Sequence, residues 1–251
     1  MSKSRIVGVI PARYQSSRFQ GKPLADLEGW PVIRHVAERA RRVAALDRVV
    51  VATDDERIRD AVQAFGAEVV MTSSQHATGT DRVAEAVRQI EADVVVNIQG
   101  DEPLLEPAMV ERIVEPLLRD TTIQVATMIC PVKDVAEILD HNVVKVVTDL
   151  AGDVLCYSRS PIPYPKDRSV YGARRQIGLY AFRRAALEAF AGWALSPLEV
   201  TEGVELFRFV EHGWKVRAVE TSHGTVAVDT PADLERVRQI LQQHDRVAAH
   251  A

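Results

Sequence analysis

Cysteine is scarce. The 251 residues hold two, Cys130 and Cys156, with neither a CxxC spacing nor a nearby histidine, which excludes a thiolate metal centre. Each lies in an apolar, strand-like run, so both are expected as buried thiols of a reducing compartment. No apolar run approaches the roughly 18 residues of a membrane span, and no charged n-region with an apolar h-region opens the chain. A cytoplasmic protein with no membrane partner is therefore expected. Positive charge is not in excess either: a formal net charge of −4 argues against a nucleic-acid partner. Two phosphate-binding patterns are also missing. GxxxxGK[ST] is absent, and GxGxxG fails because Gly8 alone precedes the basic loop, from inside a strand. With 47% hydrophobic and 26% charged residues, the chain is long enough for one domain over 1–251 with a large core.

What is present begins at Ile10–Leu24, IPARYQSSRFQGKPL. Arg5 to Ile10 is a short β-branched run without helical period, as in a strand buried on both faces of a parallel sheet. The loop that follows carries Arg13, Arg18 and Lys22, which cannot be buried unpaired, among Ser16, Ser17, Gly21 and Pro23, which favour irregular backbone. Such a loop is suited to cradle a triphosphate with cations and N–H groups; a solvated basic loop is the alternative.

Beyond it, Pro31 opens a helix with an apolar stripe from Val32 to Val43. Arg48–Thr53 is a second buried strand, Asp54 is expected to cap a helix to Phe65, Gly66 ends it, and Glu68–Met71 is a third strand. Strands alternating with helices predict a Rossmann-like α/β fold, a mostly parallel sheet flanked by helices. Ligands then gather at the carboxyl ends of its strands. Thr72 to Thr80 is a small-residue loop leading to Asp81 and Arg82, where Thr80 is the expected cap. A cation in a first turn is disfavoured by the helix dipole, so Arg82 calls for another reason to be there.

Asp93–Ile98 is the next strand, ended by Gln99-Gly100-Asp101-Glu102-Pro103. Asp101 at a strand end facing a triphosphate suits Mg²⁺, which takes one or two carboxylates and phosphate oxygens; a turn aspartate is the alternative. A helix over Pro107–Leu118 and a strand over Gln124–Val132 follow. Val143–Val147 and Val154–Ser160, joined by a turn at Asp149–Gly152, predict an antiparallel pair. They form part of an acceptor-side and dimerisation excursion over 133–175 and 195–222. Ser160–Lys166 is stiffened by three prolines. Arg174–Arg183 returns as a strand, followed by a helix to Trp193. Ser196–His212 is expected as one amphipathic helix, ended by Gly213, and with the excursion it is the candidate homodimer interface. Lys215–Glu220 is a strand, and Pro231 opens the C-terminal helix. Asp229 is either that helix's cap or a second Mg²⁺ carboxylate, since Thr230 can take the cap itself.

The stretch PARYQSSRFQGKPL at 11–24 resembles the sugar nucleotidyltransferases, and in particular the 3-deoxy-manno-octulosonate (Kdo) cytidylyltransferases. The likeness continues through VATDDERI (51–58), GTDR (79–82), NIQGDEPL (97–104), KVV (145–147), YSRSPIPY (157–164) and VDTPADLERV (228–237), nearly the whole chain. It implies a nucleotidyltransferase that joins CTP to a Kdo-like sugar acid with Mg²⁺, for lipopolysaccharide or capsule precursors. On this resemblance Arg13, Lys22, Asp101 and Asp229 are the expected catalytic residues, with Asp101 and Asp229 on the metal. Pro11, Ala12, Arg13, Arg18, Lys22, Thr78, Arg82 and Gln99 bind nucleotide, and Arg159, Gln176, Tyr180, Glu202 and Glu205 face the acceptor. The chain departs from the family at Gln176, where the pattern HLGIY reads QIGLY, and in VTEGVELFR (200–208). A different acidic acceptor, such as a nonulosonate or a phosphonate, or drift at a tolerant position would each explain the change. A non-catalytic CTP-binding module is the rival from another class.

Overall fold

A computed structural model describes residues 4–16, 18–166, 172–222 and 224–248, with side chains up to 243. In chain order the elements are β1 (Ile6–Ala12), a short 3-10 turn (Lys22–Leu24), β2 (Asp26–Leu27), β3 (Trp30–Pro31), α1 (Val32–Ala40), β4 (Arg48–Thr53), α2 (Glu56–Ala64), β5 (Glu68–Met71), α3 (Gly79–Val87) and β6 (Val94–Ile98). Then come α4 (Pro107–Arg119), β7 (Val125–Pro131), α5 (Val135–Leu139), β8 (Lys145–Thr148), β9 (Val154–Ser158), β10 (Arg174–Arg183), α6 (Arg184–Gly192), α7 (Pro197–Glu202), α8 (Phe207–Glu211), β11 (Arg217–Glu220) and α9 (Pro231–Ala248). The expected class stands: a mostly parallel central sheet flanked by helices, with small antiparallel parts.

The chain divides into two compact units. One, the loop unit, holds Val7–Gln89, Asn97–Pro107 and the segment from Thr225. Its β1 is buried along its whole length, as an uninterrupted β-branched run requires, and pairs in parallel with β4 from Val7↔Arg48 to Ala12↔Thr53. β4 pairs in parallel with β5 in turn. α1 buries Val32, Ile33, Val36, Ala37 and Ala40, one face at helical spacing. α9 packs Val237 with Leu27, Val32 and Val228, so the last helix closes on the start of the chain.

The other, the hairpin unit, holds the segment up to Ile6, Ile90–Val96 and Ala108–Gly224, and the expected excursion lies within it. β7 lies between β10, antiparallel, and β11, parallel. β8 and β9 form the expected antiparallel pair about the Asp149–Gly152 turn, where Asp149 accepts from the Ala151 and Asp153 N–H groups at 2.8 Å.

Four local expectations are corrected. The cap of α2 is Asp55, whose carboxylate accepts from Arg57 N, and Asp54 is left for another partner. Thr78 caps α3 in a capping box with Asp81, while Thr80 is buried and accepts from Asn97 Nδ2 at 3.0 Å. The helix expected over 196–212 is two, because Gly203 adopts φ +62°, a left-handed turn that ends α7. Cys130 is buried, but Cys156 is only half-buried, because its strand β9 is ladder-paired on one side, with β8, at the margin of the sheet. Among the described residues no helix is long and apolar enough to cross a membrane.

Candidate active site

In the loop unit, β1 delivers Pro11 and Ala12 to its carboxyl end, and the basic loop turns away there. Gly21 N–H donates to Tyr14 O at 2.8 Å, which folds the loop back on itself, and the Arg57 guanidinium lies 3.3 Å over the Tyr14 ring. Ser17 lies outside the described residues. Residues 99–103 follow β6 close to Pro11: a Cβ on Gly100 would stand 2.7 Å from the Pro11 carbonyl oxygen, so only glycine fits. A Cβ on Gly79 would stand 3.6 Å from the Gln99 amide, which sets that amide beside the start of α3.

Four of the expected side chains meet at one point. The Lys22 ammonium contacts Asp101 Oδ2 and lies 3.1 Å from Asp229 Oδ1, and Arg18 Nη2 lies 2.9 Å from the same Asp229 oxygen. Burial alone would lower the Lys22 pKa; the two carboxylates outweigh it and hold the ammonium above its ordinary value. Two further contacts explain why Asp229 is available. The backbone Val228 N–H donates to Asp101 O at 2.8 Å, which fixes the two segments side by side. Thr230 caps α9 in a reciprocal pair with Asp233, its Oγ accepting from Asp233 N at 3.2 Å while the Asp233 carboxylate accepts from Thr230 N at 2.8 Å.

Not every expected nucleotide residue joins this cluster. Arg13 is exposed just past β1 and makes no ion pair among the described residues. Thr78 is spent on capping. Arg82 is almost fully buried, and its guanidinium donates to Thr72 Oγ at 2.6 Å and pairs with Asp54 at 3.2 Å. Burial lowers its pKa and Asp54 works against that shift. Asp54 thus supplies the reason for a cation in the first turn of α3. The Asp54 and Arg57 roles escaped sequence reasoning, although VATDDERI presents both next to the capping aspartate.

In the hairpin unit, Arg159 follows β9. Its Nε donates to Glu202 O at 2.6 Å, Nη1 to His141 O at 2.9 Å and Nη2 to Gly203 O at 3.4 Å. The Glu202 carboxylate is occupied by Ser158 Oγ at 2.9 Å and by the Arg159 N–H at 2.8 Å. Gln176 is half-buried, with Nε2 3.4 Å from Thr127 Oγ, and Tyr180 is buried; between them β10 slips register against β7, a bulge across QIGLY. Glu205 is half-buried near the start of α8. Sequence reasoning passed over the burial of Lys145. A lysine in the middle of the apolar run VVKVV was the available signal, and it is fully buried with its ammonium on three backbone carbonyls.

Residues 7–220 match the family model described as cytidylyltransferase. The 3-deoxy-manno-octulosonate cytidylyltransferase of Geobacter metallireducens is 46% identical over 95% of this chain and 98% of its own length. That of Syntrophotalea carbinolica is 49% identical over 94% and 98%. A solved CMP:2-keto-3-deoxy-manno-octonic acid synthetase complexed with CTP superposes with a TM-score of 0.91 at 43% identity, over 96% of this chain and all 100% of the other. A cytidylyltransferase from Leptospira borgpetersenii, at 17% identity and a TM-score of 0.65 over 94% of this chain and 85% of its own, shares the fold. By identity of this order over nearly its whole length, the chain belongs to the 3-deoxy-manno-octulosonate cytidylyltransferases, a family of nucleotidyltransferase enzymes.

Proposed function

We propose that this enzyme transfers CMP from CTP to Kdo, for lipopolysaccharide or capsule precursors. The anomeric hydroxyl of the sugar attacks the α-phosphorus, an O–P bond forms, the bond to the β-phosphate breaks, and pyrophosphate leaves with the electron pair. The hydroxyl proton passes to solvent or a nearby base. The observation that carries this reading is the cluster of Lys22 and Arg18 on the carboxylates of Asp101 and Asp229, at the end of β1 in a chain of this family.

Such a transfer needs positioning and charge neutralisation more than covalent help. Arg18 and Lys22, together with Arg13 beside them in sequence, are placed to take the negative charge that develops on the departing pyrophosphate. Gln99 beside α3 is the base-recognition candidate. Among the described residues, Arg159 keeps two of its five N–H donors unspent for the acceptor carboxylate.

The residues also fit Mg²⁺. Asp101 and Asp229 offer hard oxygens around a point that already attracts a cation, the Lys22 ammonium. Mg²⁺ is commonly held by one or two carboxylates and takes its other ligands from phosphate and water. When bound there, Mg²⁺ supplies positive charge to the triphosphate. The reaction is placed in the cytoplasm, where nucleoside triphosphates are available. A homodimer through the hairpin unit is supported by its exposed apolar side chains, among them Leu155 at 60% and Val200 at 64%.

Incubation with CTP, Mg²⁺ and a panel of acids tests the assignment. Pyrophosphate release with Kdo, and CMP-Kdo by mass spectrometry, is expected. Release with a nonulosonate or phosphonate instead would assign Gln176 to another acceptor, and no release with any acid would leave a binding module.

A further inference from the structure

The backbone of Arg159 is clamped by an opposite charge at each end of its residue. The Arg159 carbonyl accepts from the Lys145 ammonium at 2.6 Å, and the Arg159 N–H donates to the Glu202 carboxylate at 2.8 Å. Lys145 has no exposure, and an ammonium has three donors. The other two go to Asp140 O at 2.9 Å and Val143 O at 2.6 Å, on the segment that carries His141. His141 O in turn accepts from Arg159 Nη1. One buried charge therefore holds both the peptide of Arg159 and a carbonyl segment that orients its guanidinium. An apolar side chain would fill this space in the strand without the desolvation penalty, so the charge is retained for the carbonyls it gathers. Glu202 is used up in the same way: Ser158 and the Arg159 N–H occupy both its oxygens.

We propose that Lys145 and Glu202 are positioning residues for Arg159, and that neither touches the acceptor. This rests on the reading that Arg159 grips the acceptor carboxylate. The guanidinium is thereby held before substrate arrives, with two N–H groups that no described residue takes left for a planar anion.

The experiment is a double-mutant cycle on the full-length enzyme, with KM measured separately for Kdo and for CTP. Lys145→Met is expected to raise the KM for Kdo about tenfold or more, as misplacement of a binding group does, and to leave that for CTP within about twofold. In an Arg159→Ala background the same change is expected to add nothing, because its effect passes through Arg159. Equal rises in both KM values, or a full further loss on top of Arg159→Ala, would mean a merely structural role and overturn the proposal. If Arg159→Ala alone leaves the KM for Kdo unchanged, the reading of Arg159 fails and the positioning role with it. Should Lys145→Met not fold, Glu202→Leu replaces it, since an alkyl side chain can bond neither Ser158 nor the Arg159 N–H; an unchanged KM for Kdo in that folded variant overturns the proposal.

Discussion

Replacing Lys22 by alanine removes a cation from between two carboxylates, so two consequences are expected of one change. Turnover should fall by about 10²–10³, the usual loss for a group aimed at developing charge. Stability should also fall, by about 1–2 kcal/mol, because Asp101 and Asp229 then face one another in a half-buried place with only Arg18, on Asp229, to offset their repulsion. Thermal melts with and without Mg²⁺ separate the two: added Mg²⁺ should recover most of the lost melting temperature and none of the turnover. A variant with wild-type activity would remove Lys22 from the site. At this scale the loop cations and the two aspartates were legible, because charges that cannot be buried must be paired or exposed where the apolar runs stop. Lys145 was not, since its reason is a set of carbonyls contributed by His141's segment and by the residue after β9.

Among the elements, the β8–β9 hairpin is tied to β11 through Asp153. Its carboxylate accepts from Arg217 Nε at 2.7 Å and pairs with Lys215 at 3.0 Å, while Val154 N–H donates to Val216 O at 2.8 Å. Burial would raise the Asp153 pKa, but Arg217 and Lys215 outweigh it and leave it below the ordinary carboxylate value. A carboxylate lowered in this way contributes stability above its unfolded pKa of about 3.9 and loses it as the pH falls through the folded value. Asp153→Asn should therefore cost about 1–3 kcal/mol at pH 7, and the difference from wild type should shrink below about pH 4. Urea unfolding at the two pH values measures this; a gap that stays constant would show that charge is not what ties the hairpin down. Strands and helices with a clean period were legible. The break at Gly203 was not, because the amphipathic pattern runs on through it and only the left-handed backbone ends the helix. Asp54 and Asp55 were likewise interchangeable in sequence, and it is the buried Arg82 that draws one of them away from the cap.

The whole molecule brings Asp229, near the end of the chain, beside Asp101 and the loop after the first strand. The resemblance implied that meeting, but among the described residues no strand leads into Asp229; it is the backbone bond from Val228 N–H to Asp101 O that sets the two side by side. The division into two compact units was not legible, because hydrophobic period reports each element's buried face and not which elements associate. At this scale the choice of base is a property of the assembled nucleotide site: CTP should exceed UTP by about a hundredfold or more in kcat/KM, since the wrong base leaves polar partners unpaired, and equal use of both would argue against a cytosine-reading site. The claim on which the account turns is that Asp101 and Asp229 act on one ion. The most direct measurement is anomalous diffraction from crystals grown with CTP and Mn²⁺ in place of Mg²⁺. The account predicts one peak touching a carboxylate oxygen of each aspartate and the triphosphate; a peak held by phosphate alone, or by only one of the two carboxylates, would contradict it.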